Sequence, residues 1–265
     1  MKKNLVNNFN QDNGILRLTL DDENNKNALS EAMIGELTEA INEANGNKEV
    51  KVIVIASTGN VFCSGHNLKE ITAARNNNDK GAEYFKNLFE SCSSLMQLIV
   101  SCSKPVIAEV GGIATAAGCQ LVASCDLAIS SNIAKFATPG VNIGLFCSTP
   151  MVALSRNVSK KEAMKMLLTG DMISADEAKN ISLINDYVSE DELTETVMEL
   201  AQKIAQKSSM TLKTGKKAFY KQFEMNLYDA YEYTSRVMAE NVLKDDAKEG
   251  IESFINKRDP NWSDN

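Results

Sequence analysis

Apolar positions along this chain change period in a regular order. Ile15, Leu16, Leu18 and Leu20 mark a short first strand over Gly14–Leu20. Asp21–Asn27 is a polar turn, and Ser30 is a candidate N-cap. Met33, Ile34, Leu37, Ala40, Ile41 and Ala44 then recur at helical spacing up to Gly46. Val50–Ala56 reads as the next strand, so strand, helix, strand predicts a crossover and parallel pairing. Arg75–Lys80 is polar, with the composition of a mobile loop over a site or of solvated filler. A long packed helix follows over Ala82–Ser101, carrying Tyr84, Phe85, Leu88, Phe89, Leu95, Met96, Leu98 and Ile99. Lys104–Glu109 suits a buried strand, 110–118 is a turn of small residues, and Cys119–Ala123 suits a buried helix. Further strands lie around Leu127–Ser130 and Ala134–Phe136. Beyond Pro150 the pattern is helical. Ser159/Glu162, Ser174/Glu177 and Ser189/Glu192 all have capping-box spacing, and Gly170 is a helix stop. Leu183–Val188 is a short extended link, and helices are predicted near 191–207, 210–223, 227–243 and 246–257.

Composition narrows the classes. A length of 265 residues with 43% apolar and 24% charged content fits one domain, or a core with a small helical appendage. The division expected is a core over 1–200 and a helical oligomerisation region over 201–265. A formal charge of −7 with no basic run argues against nucleic acid as a partner. No apolar stretch is long enough to span a bilayer, so no membrane partner is expected. Met1–Asn13 has neither the apolar run of a secretory signal nor the arginines of a transit peptide, which makes the cytoplasm the expected location. Cys63, Cys92, Cys102, Cys119, Cys125 and Cys147 form no C-x-x-C pair, and the chain has 1 histidine. Free buried thiols are expected rather than a metal site.

The turn Val110–Gln120 has a definite chemical character. Strand, tiny residues and helix start present free backbone N–H groups at a positive helix end. With only small side chains there, a ligand can approach the backbone closely, and such turns hold phosphates or developing oxyanions. Tight helix–strand packing would use the same residues. The spacing matches neither a dinucleotide fingerprint nor a P-loop.

A second stretch runs from a strand at Ile53 into Phe62-Cys63-Ser64-Gly65-His66-Asn67-Leu68-Lys69. With Lys26-Asn27-Ala28-Leu29 upstream and Ala108–Gln120 downstream, it resembles the crotonase (enoyl-CoA hydratase/isomerase) superfamily. Ala134–Cys147 fits a third block of that family, and Leu167–Gly170 with Ile173–Ala175 a fourth. The likeness extends from about Gly14 to Trp262. It implies an α/β fold with a spiral ββα core and a C-terminal helical region, assembled as a homotrimer or a dimer of trimers. It also implies an acyl-CoA thioester as ligand, with coenzyme A entering as part of the substrate and no separate cofactor or metal.

Residue by residue, the resemblance puts the two backbone N–H donors of an oxyanion hole at His66 and Ala117. The His66 side chain is then either a neutral ring packed beside the pocket or a proton donor or carboxylate contact. Lys26 and Ala28 match a loop that touches the nucleotide of coenzyme A. Ser64, His66, Asn67, Leu68 and Lys69 match the loop around adenine and pantetheine. Phe254 and Lys257 match a C-terminal helix that reaches the coenzyme of a neighbouring subunit. Gln120 and Gly140 stand where a two-glutamate hydratase carries its carboxylates, so hydration by that route is not expected. Glu109 is a spare carboxylate beside the turn, read as structural or exposed, and Cys147 has no assigned role. Three functions remain open: an acyl-CoA enzyme of decarboxylase or isomerase type, a silent acyl-CoA-binding protein, and a genuine hydratase using other residues.

Overall fold

Among the described residues, 4–11 and 13–264 of a computed structural model, the strands fall into two sheets. The chain enters as β1 (Val6–Gln11) and turns back antiparallel into β2 (Ile15–Leu20). It crosses through α1 (Glu31–Gly46) to β3 (Val52–Ser57), which pairs parallel with β2. β4 (Val61–Cys63) follows, then α2 (Leu68–Ala74) and α3 (Ala82–Ser101). The same ββα order repeats as β5 (Val106–Val110), β6 (Ile113–Thr115) and α4 (Ala117–Ser124). It returns as β7 (Leu127–Ser131), β8 (Lys135–Ala137), a 3-10 turn at Pro139–Ile143 and α5 (Pro150–Asn157). The first strand of each unit joins one sheet and the second strand joins the other. This is the spiral α/β core that the resemblance implies.

The remaining elements are α6 (Lys160–Thr169), β9 (Ile173–Ser174), α7 (Ala175–Asn180) and β10 (Asp186–Val188). They are followed by α8 (Leu193–Ala205), α9 (Ser209–Phe223), α10 (Leu227–Val242) and α11 (Asp245–Ile255). The larger sheet has the order β1-β2-β3-β5-β7-β10 and the smaller β4-β6-β8-β9.

Both faces of the larger sheet are covered, which is why β3 and β5 carry apolar residues on both faces rather than alternating, Ser57 and Glu109 apart. In β5, Val106, Ala108 and Val110 face the main core, while Ile107 faces α8. α8 lays Leu193, Val197, Ala201 and Ala205 on Ile15, Val52, Val54, Ile107 and Ile129. That spacing of four is one helical stripe. The 200/201 division falls inside this helix, whose buried stripe continues to Ala205.

The strand at Gly14 is the second, not the first. The six residues of β1, Val-Asn-Asn-Phe-Asn-Gln, are rich in asparagine, a poor strand former, and pairing with β2 overrides that preference. Of the three capping-box spacings only Ser174–Glu177 makes both bonds: Glu177 N–H donates to Ser174 Oγ at 3.1 Å, and Ser174 N–H to Glu177 Oε2 at 2.8 Å. Ser159 accepts from Glu162 N–H alone. Ser189 caps no helix. Its hydroxyl donates to the Glu192 carboxylate, and α8 begins after Glu192. The segment at Arg75–Lys80 is a hydrogen-bonded turn, in which Asp79 accepts the N–H groups of Gly81 and Glu83.

All six cysteines are free and buried. Burial pushes the thiols of Cys63, Cys92 and Cys119 up to about 12, so they are protonated at neutral pH. Among the described residues no group of acidic, histidine and cysteine side chains is arranged to hold a metal, and no helix is long and apolar enough to cross a membrane.

Candidate active site

Two turns meet where β4 and β6 end side by side. A Cβ at Gly118 would lie 2.1 Å from the Cys63 carbonyl oxygen, so the first turn of α4 rests directly on the backbone of β4. Gly65, at φ +90°, is equally confined: a Cβ there would lie 2.9 Å from Ala116 Cβ and 3.2 Å from Ala117 N. The loop after β4 thus abuts the start of α4. Thr115 Oγ1 donates to Ser64 O at 3.1 Å, and Ala116 N–H donates to Ala137 O at 2.9 Å.

Ala116 itself has φ 51° and ψ −118°. A side-chain-bearing residue in this region carries about 1–3 kcal/mol of strain, which the packing around it must hold. Its consequence is the orientation of the next peptide. Ala117 is the first residue of α4, where N–H groups have no helical partner. The N–H groups of Ala117 and His66 donate to no group among the described residues.

A third loop closes the edge of the site. Lys26 and Asn27 are both left-handed, at φ 58° and 49°. Asn27 explains why the loop holds: Nδ2 donates to Thr58 O at 2.9 Å and Val61 O at 2.7 Å, while Oδ1 accepts Asp22 N–H at 2.7 Å. Ser64 N–H donates to Lys26 O at 3.2 Å and Leu29 N–H to Gly65 O at 2.8 Å. Lys26, Ala28, Ser64, His66, Asn67, Leu68 and Lys69 are thereby drawn to one edge. Asn67 caps α2 by accepting Lys69 N–H at 3.0 Å, and Lys69 Nζ reaches Asn25 Oδ1 at 3.4 Å. Lys26, Leu68 and Lys69 are exposed, whereas Ala28 is buried. Phe254 and Lys257 are not brought here within one chain. α11 packs on α9 and α10, and Phe254 is 84% exposed.

The His66 ring lies between these loops and α3. Its Nδ1 is 3.3 Å from Leu29 O, and Phe89 meets it edge to face with centroids 5.3 Å apart. Burial lowers its pKa from the ordinary histidine value, with the Leu29 carbonyl and the charge of Glu70 opposing. His66 Nε2, Gln120 Oε1 and Thr138 Oγ1 are buried atoms without a hydrogen-bond partner.

The family model for enoyl-CoA hydratase/isomerase matches residues 10–265. The chain belongs to the enoyl-CoA hydratase/isomerase family. It is 48% identical over 253 residues to enoyl-CoA hydratase domain-containing protein 3, mitochondrial, of Xenopus laevis, covering 96% of this chain and 84% of that protein. The human protein of the same name is 47% identical over 251 residues, with 94% and 81% covered. The crystal structure of human enoyl coenzyme A hydratase domain-containing protein 3 superposes with a TM-score of 0.93 at 45% identity, covering 97% and 100%. That of an enoyl-CoA hydratase from Mycobacterium smegmatis also gives 0.93, at 42% identity with 98% and 99% covered. The cytoplasmic expectation does not stand. The relatives from frog, rat, mouse and human are named mitochondrial, and the make-up of thirteen residues is a weak guide beside those names.

In this member of the family, Gly140 is glycine for a steric reason. A Cβ there would lie 2.5 Å from Leu145 O and 2.9 Å from Cys147 Sγ. Cys147 is buried, and burial raises its pKa, so it packs against that turn as a neutral thiol. Glu109 points to the opposite face of its sheet. Arg17 grips it through Nε at 3.0 Å and Nη2 at 2.6 Å, and Thr194 Oγ1 of α8 donates to it at 2.7 Å. It is a structural carboxylate. Asn27, Ala116 and Thr138 were not singled out in the sequence, and Phe89 was read there only as a packing residue of its helix. Asn27 lay inside a quoted motif, but the backbone strain at Ala116 has no sequence signature.

Proposed function

We propose that this protein binds acyl-CoA thioesters and stabilises the oxyanion of an enolate with the backbone N–H groups of His66 and Ala117. The observation that carries this reading is the pair of unpartnered N–H groups on two abutting turns, one at the start of a helix. Two preorganised amides supply several kcal/mol to a developing oxyanion, and loss of one such donor costs about 10²–10³ in rate. Lys26 and Ala28 contact the nucleotide, and Ser64, His66, Asn67, Leu68 and Lys69 flank adenine and pantetheine. Phe254 and Lys257 reach the coenzyme of a neighbouring subunit in a homotrimer or dimer of trimers built by the helices after α8. Coenzyme A enters as part of the substrate, and the chemistry asks for no further cofactor.

The reaction is not classical hydration. Gln120 has no titratable proton and serves to orient a substrate group or a water, while Gly140 offers no side chain. Decarboxylation or double-bond isomerisation suits a site strong in enolate stabilisation and poor in carboxylates. A genuine hydratase is the second reading, favoured by relatives at 30% identity named probable enoyl-CoA hydratase, from Dictyostelium discoideum and Mycobacterium leprae.

The test is a panel of acyl-CoA thioesters with binding and turnover measured separately. Binding is expected, with crotonyl-CoA hydrated at least about 10³-fold more slowly than by a two-glutamate enzyme. Ala117→Pro, which deletes one donor, is expected to lose binding and turnover while circular dichroism stays native. A folded Ala117→Pro protein with unchanged behaviour overturns the oxyanion assignment. Crotonyl-CoA turnover near about 10 per second, an ordinary enzyme rate, would establish the hydratase reading. Binding without any turnover would make the protein a silent acyl-CoA carrier.

A further inference from the structure

We propose that His66 Nε2 is the general base of this site and takes the α-proton of the bound acyl-CoA thioester. The inference rests on the acyl-CoA reading and adds a group that the missing carboxylates would otherwise leave unsupplied. Its footing is geometric. Nδ1 faces the Leu29 carbonyl, and a carbonyl oxygen only accepts, so Nδ1 carries the hydrogen. Nε2 is therefore the bare lone pair. It is buried, and it has no donor among the described residues. An unsatisfied buried acceptor is uncommon and calls for an explanation. A substrate C–H explains it, because a carbon acid offers no hydrogen bond until its proton moves.

Position favours the same partner. The backbone N–H of this residue is one proposed donor to the thioester oxygen, so the proposal puts the base and the oxyanion donor on the same residue. The ring is held on both sides, by the Leu29 carbonyl and by Phe89 of α3 at a 5.3 Å centroid distance. Glu70 of α2 is the charged group that acts on it and would stabilise the imidazolium once formed. Glu70 is itself fixed, accepting from Asn67 Nδ2 at 3.2 Å, from Tyr84 OH at 3.3 Å and from Glu31 N–H at 3.3 Å. Tyr84 of α3 and Glu31 of α1 thus meet Glu70 rather than the ring. Burial keeps the imidazole neutral at physiological pH, with the lone pair available.

The step balances without another reactant. The Cα–H bond breaks, the proton moves to Nε2, and the electron pair shifts onto the thioester oxygen between the N–H groups of His66 and Ala117. The imidazolium then returns the proton to the α-carbon, which is exchange, or to the γ-carbon of an enolate conjugated with a double bond, which is isomerisation. The donor role left open for this side chain gives way to an acceptor role, because the carbonyl occupies Nδ1.

The experiment is α-deuterium incorporation into butyryl-CoA in D₂O, followed by mass spectrometry, with affinity measured beside it. The protein is expected to exchange the α-protons, with a rate that rises with pH and levels off above a pKa lower than 6.5. His66→Gln keeps the backbone donor and is expected to slow exchange by at least about 10²-fold while the butyryl-CoA Kd changes by less than about threefold. Because the chain has 1 histidine, ¹⁵N spectra of the imidazole report its tautomer and titration without assignment, in the unmutated protein. Protonated Nδ1 and bare Nε2 are expected. Unchanged exchange in a folded His66→Gln protein, or an Nε2–H tautomer, overturns the proposal. Tight butyryl-CoA binding with no exchange overturns it too, and leaves the acyl-CoA reading intact. Absence of acyl-CoA binding removes both.

Discussion

Gly140 shows how closely one residue position can be packed. Leu145 O and Cys147 Sγ occupy the space where a Cβ would go. Placing glutamates at both proposed positions, Gln120→Glu with Gly140→Glu, is therefore expected to give no gain in crotonyl-CoA hydration, read as loss of crotonyl-CoA absorbance. Gly140→Glu alone is expected to destabilise the protein by about 1–3 kcal/mol, the usual cost of overpacking, as a lowered urea midpoint. A sequence shows the glycine but not the carbonyl beyond it. Ala116 is similar: alanine is unremarkable in a row of small residues, and only the backbone shows that it is held at φ 51°. The residues of the two glycine turns were legible because their types are demanded by close backbone approach. The bonds of Asn27 and the contact of Phe89 with the His66 ring were not, since a polar or aromatic residue reads alike whatever its partners.

At the scale of elements, α9 is fastened to the core through one carboxylate, Asp126, which Lys216 and Tyr220 both grip. Lys216 Nζ donates to Asp126 Oδ2 at 2.7 Å, to Ile99 O at 2.9 Å and to Lys104 O at 2.9 Å. Asp126 also accepts Tyr220 OH at 2.9 Å and Val106 N–H at 2.7 Å, so the same carboxylate joins α9 to the start of β5. Side-chain exposures of 8% and 17% make this a largely buried ion pair. Removing one partner leaves an uncompensated charge, a loss of about 3–5 kcal/mol. Lys216→Met is expected to lower the urea midpoint accordingly without changing the denaturant slope, and a shift below about 1 kcal/mol would show that the pair does not anchor the helix. Helical periodicity predicted α9 well. Nothing in its lysines at 213, 216, 217 and 221 marked Lys216 as the anchor.

The whole molecule leaves one end unfinished. α9, α10 and α11 carry Phe219 at 55% exposure, Phe223 at 65%, Leu227 at 75%, Tyr231 at 68% and Phe254 at 84%. So many large apolar side chains on one set of helices are more than a monomeric surface normally shows. Light scattering of the purified protein is expected to give the mass of three or six chains. A stable monomer would remove the basis for assigning Phe254 and Lys257 to a neighbour's coenzyme.

The sequence alone determined the order and type of most elements and the two small-residue turns, because periodicity, caps and glycine spacing are local properties, while the spiral ββα class came from the resemblance to the crotonase superfamily. Only the tertiary structure decided which way each group faces. Glu109 turns from the site toward Arg17 and α8 because alternate residues of β5 point to opposite sides of the sheet. His66 turns Nδ1 toward the carbonyl of Leu29, on a loop 37 residues away. Both depend on strands and loops distant in sequence coming into register, and no local pattern encodes that.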